Sequence, residues 1–196
     1  MNLIKNVFAL LGVLALVAIV YGYQKFGEDL ERINGFDPKF KETYIGMWDI
    51  LKQTGNSADA TVWVAPLEEG VSPEDAEEAM KIVANDLNIK AVGELPLSEQ
   101  VEMQTGEKQR FLKIYQYCDP ETAMKMVEYT DAFAAYLPCR VSMVEGKDGK
   151  YRLFSLNMDL MIHGGAELPE ELKVEAQRIK DMIQRIMSSG AAGDFF

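Results

Sequence analysis

Six side chains in this chain have the chemistry to hold a metal or act as a thiol: Cys118, Cys139, Met143, Met158, Met161 and His163, the sole histidine. Thiolate, thioether and imidazole donors together suit cuprous ion or haem iron. Two plainer readings stand beside that one, a disulfide and a pair of small buried hydrophobes. The order of predicted elements bears on the disulfide. Cys118 ends one predicted strand and Cys139 begins the next, with a single helix between them. If the strands are parallel neighbours, as a βαβ crossover requires, the thiols stand about 20 Å apart, far beyond the Cα limit of about 7 Å for a bridge. Free cysteines are therefore expected. M-x-x-M-x-H is not a specific motif, because eleven methionines in 196 residues place several in any core.

Catalysis finds little support. One histidine must serve any Ser-His or Cys-His arrangement, and the His163-Gly164-Gly165 run follows no nucleophile elbow. The chain has no phosphate-binding loop and no CxxC pair. No catalytic residue and no resident cofactor are expected, with copper or haem as the alternative. The formal net charge of −11 repels phosphate backbones, and the basic residues form no patch, which argues against nucleic acid.

The elements that must position these residues begin with a long apolar run. Between Lys5 and Lys25 lie 19 uncharged residues, almost all apolar. As a helix they span roughly 28 Å, the thickness of a bilayer's hydrocarbon core. A cleaved signal peptide begins with the same charged-then-apolar order, but no A-x-A-like site closes this one; Val20-Tyr21-Gly22 is a poor candidate. The expectation is a retained single-pass anchor, residues 1–27, that crosses the inner membrane through residues 6–24. Lysine and arginine give no bias to its orientation, but a short N-terminal tail is easily left in the cytosol. The body is accordingly placed on the periplasmic side. Gly12, Ala15, Ala18 and Gly22 share one stripe of the helix, the kind of surface on which membrane helices pair closely.

Residues 28–57 read as a juxtamembrane helical linker. Asp37-Pro38 offers an N-cap with proline at the first helical position, and Phe40, Tyr44, Met47 or Trp48, and Leu51 recur at helical spacing up to Gly55-Asn56. Tyr44 and Trp48 are candidates for contact with a partner. Residues 58–188 then alternate as β-α-β-β-α-β-β-α. ATVWVAPL, IKAVGELPL, RFLKIYQYC, PCRVSMVEG and YRLFSLNM have the pattern of strands, and KDGK reads as a hairpin turn. Leu172, Ala176, Ile179, Ile183 and Ile186 mark the inner face of a last helix that runs to about Met187. The predicted class is α+β, a mixed β-sheet with helices packed on one face, preceded by one transmembrane helix. Residues 189–196 read as a flexible tail, whose Phe195 and Phe196 are further candidates for partner contact.

YCDPETAMKMV followed by AAYLPCRVSMVE resembles the signature of the domain of unknown function 302 family (DUF302). Its members carry a Cys-Asn/Asp-Pro helix start, then a Leu-Pro-Cys strand start about twenty residues later. Both cysteines and both prolines match in register, and the likeness runs from about Ala60 to Met187. Asn157-Met158 departs from it, where members often have Asp-Pro. The resemblance implies a compact α+β domain, commonly dimeric, and no established reaction. The functional expectation is a membrane-anchored binding or accessory protein, a subunit or scaffold of a membrane assembly or a homodimer. The alternative is an envelope redox, sulfur or metal protein built on Cys139.

Overall fold

An unbroken apolar helix leads the chain into a sheet-and-helix body. The computed structural model describes residues 2–194. Helix α1 runs Asn2–Asn34, past the expected end of the anchor at residue 27. Its stretch Ile4–Asp29 is long and apolar enough to cross a membrane, with a mean hydropathy of 2.2 and nothing packed over it. Gly12 and Gly22 of the small-residue stripe have no neighbour within 4 Å of where a Cβ would stand.

Helices α2 (Phe40–Thr54) and α3 (Ser57–Ala60) come next, and Gly55 ends α2 in the left-handed conformation that glycine adopts without strain. The body then comprises β1 (Val62–Pro66), α4 (Pro73–Asp86), β2 (Lys90–Leu95), α5 (Leu97–Thr105) and β3 (Leu112–Cys118), followed by α6 (Pro120–Tyr129) and a 3-10 turn (Asp131–Tyr136). Strands β4 (Cys139–Glu145) and β5 (Tyr151–Leu156), helix α7 (Asp159–His163) and helix α8 (Glu170–Ala192) complete it. Ser72 and Asp75 close a reciprocal capping box at the start of α4, and Asp119 caps α6 through the Thr122 N–H.

The fold is α+β with the expected strand and helix order, but its sheet is not mixed. The strands lie in the order β1-β5-β4-β3-β2 and every neighbouring pair is antiparallel. The reason lies in the chain between β3 and β4. Helix α6 carries it outward by about 15 Å, and the 3-10 turn can return it by about 12 Å. Strand β4 therefore starts at the end where β3 stops, with Cys139 directly opposite Tyr117. A parallel crossover would have needed a helix long enough to regain the far end of the sheet.

Period-two alternation divides the sheet. Tyr115, Tyr117, Val141, Met143 and Leu153 are buried on one face, where α4 and α8 supply Met80, Val83, Ile179, Ile183 and Ile186. The opposite face holds Leu112, Ile114, Ser142, Val144, Phe154 and Leu156, each only partly covered. All five residues expected on the inner face of α8 are buried. The helix does not stop at Met187, however; it runs on to Ala192 and buries Ser189, Gly190 and Ala191. Residues 189–192 are thus core helix rather than tail, while Phe195 and Phe196 lie outside the described residues. The reason is close packing: a Cβ on Gly190 would stand 2.5 Å from Met80 Cγ and 3.0 Å from Leu153 Cδ1.

Gly190→Ala would gain about 1 kcal/mol of helix propensity but overpack this crossing at a cost of about 1–3 kcal/mol. The expected outcome is a net loss of stability, read as a lower urea midpoint with unchanged slope.

Candidate functional site

Two clusters bring together the side chains with chemistry. The first is the junction of linker and body. Phe36 forms a lone antiparallel bridge with Ala166, the Asp37 N–H donates to Gly165 O at 2.9 Å, and the Tyr44 hydroxyl donates to Gly164 O at 3.0 Å. Asp37 is not the expected N-cap of α2; that position is held by Lys39, which makes no side-chain cap. The Asp37 carboxylate is instead buried, at 3% exposure. Its Oδ1 accepts from the Lys39 N–H at 2.8 Å and pairs with His163 Nδ1 at 3.0 Å, while Oδ2 meets Lys173 Nζ at 2.7 Å. Burial works against its charge, but the Lys173 ammonium, the Lys39 N–H and His163 together hold the carboxyl down to about 2. His163 therefore belongs to this junction, on the far side of α7 from the soft donors with which sequence spacing associated it. Its Nε2 is buried without a hydrogen-bond partner among the described residues.

Sequence reasoning missed Asp37 and Lys173, although Asp37-Pro38 was visible as a motif. Its capping pattern drew the eye, and nothing local announces a carboxylate destined for burial against residues more than 120 positions away.

Removing the buried carboxylate deprives Lys173, His163 and the Lys39 N–H of a shared acceptor and leaves Lys173 paired with Glu167 alone, at a cost of about 1–3 kcal/mol. Asp37→Ala should therefore free α2 from the body, detectable as new protease cleavage between residues 34 and 57. Because the Asp37 pKa is lowered by folding, its contribution is complete above the unfolded value of about 3.9 and fades as pH falls towards 2. The urea midpoints of wild type and Asp37→Asn should differ at pH 6 and converge only as the pH falls through about 2.

The second cluster lies where β3 ends and β4 begins. Antiparallel pairing places Cys118 one residue beyond the Tyr117–Cys139 pair, so the two thiols share one end of the sheet instead of standing 20 Å apart as expected. Both are free cysteines. They line a cavity of about 40 Å³ together with Met126, Met158 and Met161. Tyr117 belongs to the same wall, and its buried hydroxyl has no hydrogen-bond partner among the described residues. Burial pushes the Cys139 thiol up to about 11, and burial with the Asp119 charge raises Cys118. Met143 is absent from this group. It is wholly buried between its strand neighbours Lys113 and Leu153.

The Cys-Asp-Pro run explains how the cavity is closed. Asp119 caps α6 and accepts from Arg178 Nη2 of α8 at 2.8 Å, and Thr122 donates to Glu175 at 3.0 Å. These bonds hold α6 over the cysteine pair. A third network, Glu77 with Lys81, Lys113 and the Tyr115 hydroxyl, joins α4 to the sheet. Burial opposes the Glu77 charge, but those three partners hold its carboxyl down to about 2. The network, which Glu94 extends through Lys81 and Lys113, is partly exposed. Among the described residues no group of three or more His, Cys, Asp or Glu is placed to hold a metal ion.

A five-stranded antiparallel sheet, backed by α4 and α8 and closed at one end over paired thiols, defines an α+β sandwich domain carried behind an apolar helix. The chain belongs to the DUF302 family, a domain of unknown function, whose model matches residues 65–190. It is similar in fold to the crystal structure of an uncharacterized conserved DUF302 protein from Bacillus stearothermophilus, with a TM-score of 0.53 at 11% identity, covering 66% of this chain and 97% of that one. No curated protein matches. Helix α1 and the whole linker precede the family match.

Proposed function

We propose that the protein is a single-pass, membrane-tethered binding or accessory component, with its DUF302 domain held outside the inner membrane for a partner subunit or a second copy. The observation that carries this reading is α1 itself. A helix whose stretch Ile4–Asp29 is apolar and packed against none of the described residues calls for a non-aqueous cover. The linker supports a partner. Helix α2 has no buried residue, and Tyr44, Ile45 and Trp48 remain 42%, 60% and 58% exposed. Tyr44 spends its hydroxyl on Gly164, so Trp48 and Ile45 form the freer contact surface. The small-residue stripe Gly12, Ala15, Ala18 and Gly22 offers a second surface, within lipid, for another helix.

The test is extraction of the full-length protein from its native membrane in mild detergent, followed by mass measurement. Retention in the membrane pellet after alkaline carbonate washing, and a particle heavier than one chain, are expected. Trp48→Ser combined with Ile45→Ser should lower that mass while leaving the circular dichroism spectrum intact. A clean monomer with nothing co-purifying would sink the accessory reading, and release by carbonate would sink the tether.

A further inference from the structure

The sulfur-lined cavity does not depend on the tether, and it carries a function of its own. We propose that Cys139 and Cys118, assisted by the thioethers of Met158, Met161 and Met126, bind a single cuprous ion. The donor set argues for the metal. Two cysteines and three methionines line one chamber, contributed by β3, β4, α6 and the start of α7. Thioethers beside the thiols favour monovalent copper: magnesium and calcium call for oxygen, and zinc, though it accepts thiolate, completes its shell with thiolate, imidazole or carboxylate rather than thioether. The nearest carboxylate, Asp119, is committed to Arg178 and to the cap of α6, and His163 is committed to Asp37.

Size argues for an ion rather than an organic ligand. A cavity of about 40 Å³ exceeds the minimum for one water molecule but not the volume of a metabolite. An entry path exists as well. Cys139, Met158 and Met161 also line a cleft of about 290 Å³ that reaches the uncovered face of the sheet. The same three sulfur-bearing residues thus wall both the open cleft and the inner chamber, so an ion arriving from solvent meets soft donors along its way in. As each copper–thiolate bond forms, the thiol proton passes to solvent, which keeps the step balanced without an oxidant or reductant.

The test uses the full-length protein in detergent micelles, reduced and anaerobic, titrated with cuprous ion in competition with the chromophoric chelator bicinchoninate. One equivalent per chain should resist the chelator. Cys139→Ser should weaken retention by about 100-fold, and Met158→Leu with Met161→Leu by about tenfold, whereas Met143→Leu should behave as wild type. Circular dichroism separates loss of donors from loss of fold, and the near-isosteric leucine variants stay informative if the serine variant unfolds. Complete surrender of copper by the wild type would overturn the proposal. So would unchanged retention in a folded Cys118→Ser/Cys139→Ser double variant, or equally tight retention of zinc.

Discussion

The antiparallel pairing of β3 with β4 is the constraint on which the rest of the body depends. Tyr117 opposite Cys139 sets the register, and the register decides which residues meet. It stacks Tyr115 over Val141 on the helix-facing side, where α4 and α8 find their core. It also forces the intervening chain to fold back over the strand ends as α6 and the 3-10 turn. That return leaves the cavity at the corner where β3 ends and α6 folds over it. Cysteine and methionine occupy the corner because they are the soft, adaptable side chains that irregular spaces accept.

A second interaction governs how the body meets its leader. Asp37 is a single carboxylate taken out of water, and it is tolerable there only because Lys173, His163 and a backbone N–H converge on it. Such an arrangement contributes little net stability over an apolar substitute of the same shape, but it is exacting in geometry. Hydrophobic contact alone would let α2 slide; a buried charge admits one placement. The linker therefore reads as a fixed joint rather than a flexible spacer.

Much of this was legible in the chain, and the exceptions share a cause. The alternation of Phe111, Lys113, Tyr115 and Tyr117, the inner stripe of α8 and the Asp-Gly hairpin are local patterns, and each has its structural counterpart. The family signature is local too, and the motif around Cys118 and Cys139 sufficed to find it. Strand sense, by contrast, hung on whether the twenty residues between Cys118 and Cys139 go across or come back, and helix–strand order is the same either way. From that one ambiguity followed the misplacement of the cysteines. Of the soft-donor set, Cys118, Cys139, Met158 and Met161 do converge, Met143 points into the core and His163 is engaged elsewhere. The extension of α8 was hidden because serine and glycine, weak helix formers by themselves, are held helical by the sheet they pack against.

The uninterrupted course of α1 sets a height. On the proposed tether, lipid ends near Lys25, yet the helix continues to Asn34 before the chain turns into the bridge at Phe36. Nine further residues raise the body by about 14 Å, more than a Debye length at physiological salt. A domain of this acidity thus stands clear of anionic headgroups on a stiff post, at an altitude that selects for neighbours whose own outer parts rise comparably far.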